Sequence, residues 1–248
     1  MSGLQLTGIT KSFQGMPVLQ DIQAQVNEGE FVSFVGPSGC GKSTLLNIIA
    51  GLEGSDGDVL FGDQSIESQD LISYMPQQDL LLPWRTILQN IVLPLEINKV
   101  EKKRRMVEGM KVLEQFGLAE YANHYPEALS GGMRQRISFL RTYLCKKPIM
   151  LLDEPFGKLD AFTKMDVHRW LLQSWQKGKQ TIVMVTHDLE EAVLLSDRIF
   201  ILSQKPSMII DEVRVRLPRP RTMEMITSNV LKEDKDRILR ILSPFMAG

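Results

Sequence analysis

A glycine-rich segment constrains the fold most: Gly36-Pro37-Ser38-Gly39-Cys40-Gly41-Lys42-Ser43-Thr44 lies between an apolar run and a helical pattern. Glycines let the backbone wrap round an anion, so that successive N–H groups and the next helix N-terminus point at phosphates. We predict a phosphate-binding loop, with Lys42 as the cation for the β- and γ-phosphates and the Ser43 hydroxyl on Mg²⁺. A plain glycine turn would not explain the glycines, the lysine and the hydroxyl together. Cys40 is expected to be a small filler, because the backbone does the binding.

A second apolar run, Leu151-Leu152, ends in two acids, Asp153 and Glu154. A buried strand that ends in a carboxylate suits Mg²⁺ binding, and Asp153 is the candidate ligand. Glu154 is placed to polarise an attacking water. Many buried strands end in Asp, so this pattern gains its weight from the phosphate-binding loop.

The remaining periodicity predicts a parallel α/β layout that a helical block interrupts. Alternating apolar residues predict strands early in the chain and again late, with a helix through Trp170 between the late ones. Pro94 should kink or end the first helix of the block. The expected strands are 4–9, 22–26, 31–35, a β-rich piece over 58–75, 149–152 and 181–185; the expected helices are 87–97, 107–116 and 130–144, with a stiff linker at 216–221 and an amphipathic helix near 230–242.

Composition narrows the possible partners. The 248 residues carry a net charge of −1, which argues against bulk electrostatic binding to nucleic acid. The basic stretch 102–105 is interpreted as a solvated helix face. The two cysteines fit a reducing compartment, and neither a signal peptide nor a membrane-crossing stretch is expected from the pattern.

The segment Leu129-Ser130-Gly131-Gly132-Met133-Arg134-Gln135-Arg136 resembles the signature of the ATP-binding-cassette (ABC) family, over nearly the whole chain in the expected order. The resemblance implies an α/β fold: a P-loop NTPase core with a mostly parallel sheet, an N-terminal antiparallel β subdomain and an inserted α-helical subdomain at about 86–144. It implies an ATP-binding domain at 1–222 and a short helical extension at 223–248. The alternative for Ser130 is a plain helix cap.

Four further landmarks follow the same family pattern. Gln77, favoured over Gln78 by its spacing to Pro83-Trp84, resembles the glutamine that touches Mg²⁺ and water and senses the membrane partner. Asp160 resembles part of the D-loop, although Lys158 departs from the small residue usual there. His187 resembles the switch histidine at the γ-phosphate; a structural histidine is the alternative. Phe13 stands where an aromatic side chain stacks on adenine; a core Phe is the alternative.

The resemblance implies a homodimer that closes over ATP and Mg²⁺. The catalytic set is Glu154, His187 and Gln77, and the metal set is Ser43, Gln77 and Asp153. The ATP-binding set is Phe13, Gly36, Pro37, Ser38, Gly39, Cys40, Gly41, Lys42, Ser43, Thr44, Ser130, Gly131, Gly132 and Asp160. In this arrangement the serine and glycines at 130–132 of one copy close over the loop of the other.

Residues 79–86 and 216–221 resemble the branch of importers for nitrate, taurine, alkylsulfonates and related solutes. They imply transmembrane permease subunits, a solute-binding protein acting indirectly, and a peripheral place on the cytoplasmic face of the inner membrane. The branch suggests a small anion or a pyrimidine-type precursor as solute. Leu80-Leu81-Leu82 and Trp84 are interpreted as a partner surface, with core packing as the alternative.

Two alternatives remain open. A non-transport ATPase acting on nucleic acid or ribosomes would usually carry two cassettes, a long coiled-coil insertion or zinc cysteines, none of which this sequence shows. The second alternative is an exporter motor, and only the branch resemblance distinguishes an importer from it.

Overall fold

Two sheets organise the chain in the computed structural model, which describes residues 3–62, 64–65, 71–178 and 180–245, without the side chains of 64 and 65. The smaller sheet is antiparallel and has the strand order β2-β1-β4-β5. The larger sheet has the order β10-β9-β3-β8-β7-β6, and only β10 runs antiparallel to its neighbour. The strands are β1 Leu4–Phe13, β2 Met16–Val26, β3 Phe31–Val35, β4 Asp56–Phe61, β5 Gln64–Ser65, β6 Ile72–Met75, β7 Ile149–Asp153, β8 Thr181–Val185, β9 Arg198–Leu202 and β10 Ile209–Arg214.

Side chains cap the first turn of several helices. Thr86 and Gln89 form a reciprocal capping box, and Ser130, Asp188 and Ser228 each accept a backbone N–H of the helix that follows. The helices are α1 Lys42–Ile49, α2 Ile87–Ile91, α3 Leu93–Ile97, α4 Lys102–Gln115, α5 Gly131–Tyr143, α6 Ala161–Gly178, α7 Leu189–Leu195 and α8 Asn229–Leu242, with short 3₁₀ turns at Ala119–Tyr121, Pro126–Ala128, Met223–Thr227 and Ser243–Phe245.

The larger sheet is buried on both faces. Every residue of β3, β7 and β8 is buried, which explains their continuous apolar sequences. Alternate residues serve two cores: Leu152 packs with the helical block and α6 to α8, whereas Leu151 packs with α1 and the antiparallel sheet. The α/β fold, with its mostly parallel sheet, antiparallel β subdomain and inserted helices, is as predicted.

The helical block differs in detail from the sequence pattern. The predicted helix at 87–97 is two helices, because α2 ends before Val92 and α3 begins with Pro94 in its first turn, where proline is tolerated. Helix α4 begins at Lys102 rather than near 107. The side chains of Lys102, Lys103 and Arg104 are exposed on it, as the solvated-face interpretation requires.

The sequence prediction lacked the β9–β10 hairpin and helix α7. It also did not foresee that residues 216–221 are held by side-chain contacts. Within the predicted β-rich piece at 58–75, residues 63 and 66–70 lie outside the described residues. The predicted stiff linker is fixed to its neighbours: Arg216 pairs with Asp234 of α8, and Arg219 pairs with Asp197. Arg221 is 4% exposed. Helix α8 thereby packs on α7, and Leu231, Ile238 and Leu242 join the main core.

Candidate functional site

The glycine-rich loop connects β3 to α1 at the carboxyl edge of the parallel strands. Gly41 has a φ of 113° just before α1, and a Cβ there would lie 2.9 Å from Val18 Cγ1. Gly36 is equally confined, since a Cβ would lie 2.9 Å from the Leu202 carbonyl oxygen. Only glycine allows this backbone path, along which the loop curves round a concave surface.

Lys42 begins α1 and is 6% exposed. Its Nζ donates to the carbonyl oxygens of Gly36 (2.9 Å) and Pro37 (2.8 Å), so the cation is held inside the loop. Cys40 is 2% exposed, with its Sγ 3.9 Å from Lys42 Nζ. Its packing there matches the filler interpretation.

Asp153 ends β7 as a nearly buried carboxyl group, 1% exposed. Burial and the charge of Glu154 raise its pKa, while the neighbouring Ser43 and Tyr74 hydroxyls and the charge of Lys42 oppose the rise. Its Oδ1 has no hydrogen-bond partner. A buried carboxylate oxygen without a partner, beside a serine hydroxyl, is a donor set that suits a hard cation.

The three predicted catalytic side chains meet at Glu154, the residue after β7. Gln77 Nε2 donates to Glu154 Oε2 at 3.0 Å, and His187 Nδ1 lies 3.4 Å from Glu154 Oε1. Gln77 follows β6 and His187 follows β8, the two neighbours of β7. Parallel pairing brings the carboxyl ends of these strands to one edge, which explains how residues far apart in sequence converge.

A cavity of about 480 Å³ opens over this edge. Gln77 lines it, whereas Gln78 is not among the lining residues. Lys205, in the β9–β10 turn, also lines it and was missed because that hairpin had no recognised motif. The lining residues are Ser38, Gly39, Gly41, Lys42, Ser43, Thr44, Gln77, Glu154, His187 and Lys205.

The serine-glycine segment lies apart from that cavity. Ser130 is exposed, and its Oγ accepts from Met133 N as the cap of α5. Gln135 on α5 bridges two loops: its Nε2 donates to Glu154 O, and its Oε1 accepts from Lys158 N, both at 2.8 Å. Gln135 had no assigned role in the sequence analysis, although it lies inside the signature. It ties the segment at 130–132 to the backbone of Glu154.

Five further predicted nucleotide contacts lie outside the cavity lining: Gly36, Pro37 and Cys40 of the loop, and the more distant Phe13 and Asp160. Phe13, at the end of β1, is 41% exposed, with Lys11 Nζ 4.9 Å from its ring centroid. Asp160 caps α6, since its Oδ1 accepts from Phe162 N and Thr163 N at 3.1 Å each. Their predicted roles require either a nucleotide or a second copy to reach them.

The donor set fits Mg²⁺ and a triphosphate. Within the described residues no group of three or more His, Cys, Asp or Glu side chains is arranged to hold a metal. Mg²⁺ is usually held by one or two protein ligands together with substrate phosphates, so the Asp153 Oδ1 and the Ser43 hydroxyl suffice. Gln77 lies at the same edge, as its predicted metal contact requires.

A family model described as ABC transporter matches residues 19–157, more than half of the chain. The chain belongs to the ABC transporter family. This ABC protein is an ATPase domain of the α/β P-loop type, and its nucleotide is ATP with Mg²⁺. In the part of the chain that the structure describes, no helix has both the length and the apolar character needed to cross a bilayer.

Relatives and solved structures agree with that assignment. The chain is 47% identical to the formylaminopyrimidine import ATP-binding protein ThiZ of Halalkalibacterium halodurans, over 84% of this chain and 82% of the relative. It is 41% identical to the aliphatic sulfonates import ATP-binding protein SsuB of Albidiferax ferrireducens, over 96% and 84%. The ATP-binding cassette MJ0796, solved as a dimer in a post-hydrolysis state with ADP and Pi, superposes with a TM-score of 0.80 at 31% identity, covering 87% of this chain and 100% of that chain.

Proposed function

We propose that this ABC protein is the ATP-hydrolysing subunit of an importer and powers solute transport through a separate membrane permease. Three features support the proposal: the phosphate-binding loop, the acids at the end of β7, and the names of the relatives as import ATP-binding proteins. We propose that 1–222 form the ATP-binding domain and 223–248 a helical extension. The relatives suggest a small polar solute, which this subunit would not itself contact.

The hydrolytic roles follow from the geometry at the strand ends. The loop's N–H groups and Lys42 bind the phosphates, and Glu154 accepts a proton from the attacking water. Gln77 and His187 hold the Glu154 carboxylate from two sides, which fixes its orientation. Asp153 and Ser43 would hold Mg²⁺, which neutralises developing phosphate charge when bound.

The separation between the cavity and Ser130 is the observation that carries the dimer proposal. Ser130 at the N-terminus of α5 is exposed, and this helix start, with two glycines and a serine, lies outside the lining of the phosphate cavity. A second copy would place this helix start over the loop and complete the site. ATP would then join the two copies, and its hydrolysis would release them.

Light scattering during size-exclusion chromatography tests this dimer. Glu154→Gln with MgATP should elute as a dimer, because the site binds but does not turn over. Glu154→Gln/Ser130→Glu should stay monomeric, because the added carboxylate repels the phosphates. A double variant that still dimerises with MgATP would remove Ser130 from the interface.

An exposed apolar surface next to the Gln77 segment supports permease docking. Trp84 is 70% exposed, Leu80 58% and Ile97 70%. The loop that carries Trp84 is rigid, because buried Asn90 donates to the Leu82, Arg85 and Thr86 carbonyls. The Arg141 guanidinium clamps the same loop by donating to the carbonyl oxygens at 79 and 80.

Leu81 is 8% exposed and packs in the core, so the core-packing alternative holds for that residue. The outward side chains of Leu80 and Trp84 on a rigid loop instead support a protein partner. We propose that a helix of the permease packs there and holds the subunit at the cytoplasmic face of the inner membrane. Co-expression and co-purification with a candidate permease, followed by solute-stimulated ATPase assays, test the import role. Salt-sensitive stimulation by nucleic acid instead, with no permease bound, would favour the non-transport alternative.

A further inference from the structure

A buried charge cluster joins α6 to the segment that carries His187. Lys164 Nζ on α6 lies 3.1 Å from Asp188 Oδ2 and 2.6 Å from Glu191 Oε1. The Lys164 side chain is 24% exposed and the Glu191 side chain 4%. The Asp188 side chain is 33% exposed. Because these charges are partly shielded from water, they attract one another more strongly than surface charges do, and they hold α6 and residues 188–191 together.

The cluster grips the backbone on both sides of His187. Thr186 Oγ1 donates to Glu191 Oε2 at 2.8 Å and accepts from Asp188 N at 3.0 Å. Asp188 Oδ1 caps α7 by accepting from the N–H groups of residues 190 and 191. The residues before and after His187 are therefore both held through the carboxylates that Lys164 neutralises.

The same lysine is one turn from Asp160. Its backbone N–H donates to the Asp160 carbonyl oxygen at 2.9 Å, and Asp160 caps α6. A shift of the 156–160 loop would thus move Lys164, and the ion pairs would pass that shift to residues 186–188. His187 in turn lies 3.4 Å from Glu154, so its position bears on the hydrolytic carboxylate.

We propose that Lys164 is a positioning residue for hydrolysis: through Glu191 and Asp188 it holds His187 against Glu154 and links it to the 156–160 loop. Lys164 does not line the nucleotide cavity. It acts on turnover and not on the phosphate grip of the 36–44 loop. The inference rests on the proposed roles of Glu154 and His187.

Steady-state ATPase kinetics of the purified full chain test it. Lys164→Met should lower kcat about tenfold or more while KM for ATP changes less than about threefold. Lys164→Arg should restore most of kcat, since it keeps the charge. The matched control is Lys177→Met on the exposed end of the same helix, which should leave both constants unchanged.

Thr186→Val is the second variant, should Lys164→Met fail to fold. It keeps the ion pairs and the shape of the side chain but removes the hydrogen bond to Glu191. It should show the same fall in kcat at unchanged KM. Two results would overturn the inference. One is a wild-type kcat in both single variants, and the other is a rise in KM that accounts for the whole loss of activity. Absence of ATPase activity in the wild type would instead count against the proposed function.

Discussion

At the scale of single residues, Glu154 stands out because its backbone conformation is strained. Its φ is 45°, a left-handed conformation that costs a non-glycine residue roughly 1–3 kcal/mol. Two hydrogen bonds hold this backbone conformation in place. Glu154 N donates to the Val185 carbonyl oxygen at 2.9 Å, and the Glu154 carbonyl oxygen accepts from the Gln135 side chain. Strain held in place by several neighbours is typical of residues that must present one orientation to a substrate.

Glu154→Gln should retain ATP binding and lose turnover by about 100-fold or more, the size of a lost general base. Glutamine keeps the shape but takes up no proton from water. The measurement is phosphate release alongside nucleotide-binding titration. Glu114→Gln on exposed α4 is the control and should behave as wild type. Normal turnover in Glu154→Gln would assign proton acceptance elsewhere.

His168 makes stability depend on pH. It is 4% exposed, and burial, followed by the charge of Lys164, lowers its pKa from 6.5 to about 3. Its Nε2 has no hydrogen-bond partner, Asp188 only partly offsets the shift, and Glu191 is already paired with Lys164. The unfolded chain therefore takes up a proton below pH 6.5 that the folded chain does not.

The stability that neutral His168 contributes is present above pH 6.5 and is lost as the pH falls towards 3. Between pH 7 and pH 5 the loss should be roughly 2 kcal/mol in unfolding free energy. Urea denaturation of His168→Gln should show a shallower pH dependence over that interval. His124→Gln, at an exposed histidine, should keep the wild-type slope. Equal slopes for His168→Gln and wild type would contradict the assignment.

At the scale of elements, α7 is short and is stabilised at both ends. Asp188 caps its N-terminus, and the Arg221 guanidinium donates to the carbonyl oxygens of Val193, Leu194 and Ser196 at its C-terminus. A helix of seven residues has little stability of its own, so these end contacts and its burial hold it. Because α7 begins two residues after His187, the contacts that hold the ends of α7 also help to fix the position of that histidine.

Arg221→Met should destabilise the chain by about 2–4 kcal/mol, because methionine fills the space but leaves buried carbonyl oxygens without a donor. Thermal and chemical denaturation measure the loss. Arg240→Met on the exposed face of α8 is the control, with an effect within about 0.5 kcal/mol. An equally small effect at Arg221 would mean that water replaces the guanidinium.

At the scale of the whole molecule, the sheet separates chemistry from partner contact. The nucleotide cavity lies over the carboxyl edge, while the helical block presents Leu80, Trp84 and Ile97 outwards. Gln77 belongs to both regions, since it contacts Glu154 and precedes the rigid loop that bears Trp84. Movement of the helical block relative to the sheet would therefore shift Gln77 and change its contact with the hydrolytic carboxylate of Glu154.

Trp84→Ser should leave the ATPase activity of the isolated chain within about twofold of wild type and weaken its permease complex by about tenfold or more. Loss of an exposed tryptophan that anchors an interface typically costs at least 2 kcal/mol of binding. Titration of the detergent-solubilised permease measures the affinity. Leu52→Ser, at another exposed apolar side chain, is the control. Unchanged affinity in Trp84→Ser would move the docking surface elsewhere.

Local sequence patterns predict those features of the chain that depend on neighbouring residues. The loop at 36–44, the acids at the end of β7 and the buried strands depend on neighbours within a few residues, so periodicity and spacing predict them. A break in the first block helix near Pro94 was predicted for the same reason; the structure places it at Val92, with Pro94 in the first turn of α3. The family resemblance then supplied the order of the landmarks and the α/β architecture.

Contacts between groups far apart in the chain follow from the folded structure and not from local patterns. The approach of Gln77 and His187 to Glu154 depends on strand order in the sheet, which no local pattern encodes. Lys205 reaches the cavity through a hairpin without a motif, and Arg221 is buried although its segment resembles a linker. These contacts join residues far apart in the chain, and their free energy comes from burial and pairing that exist only once the core has formed.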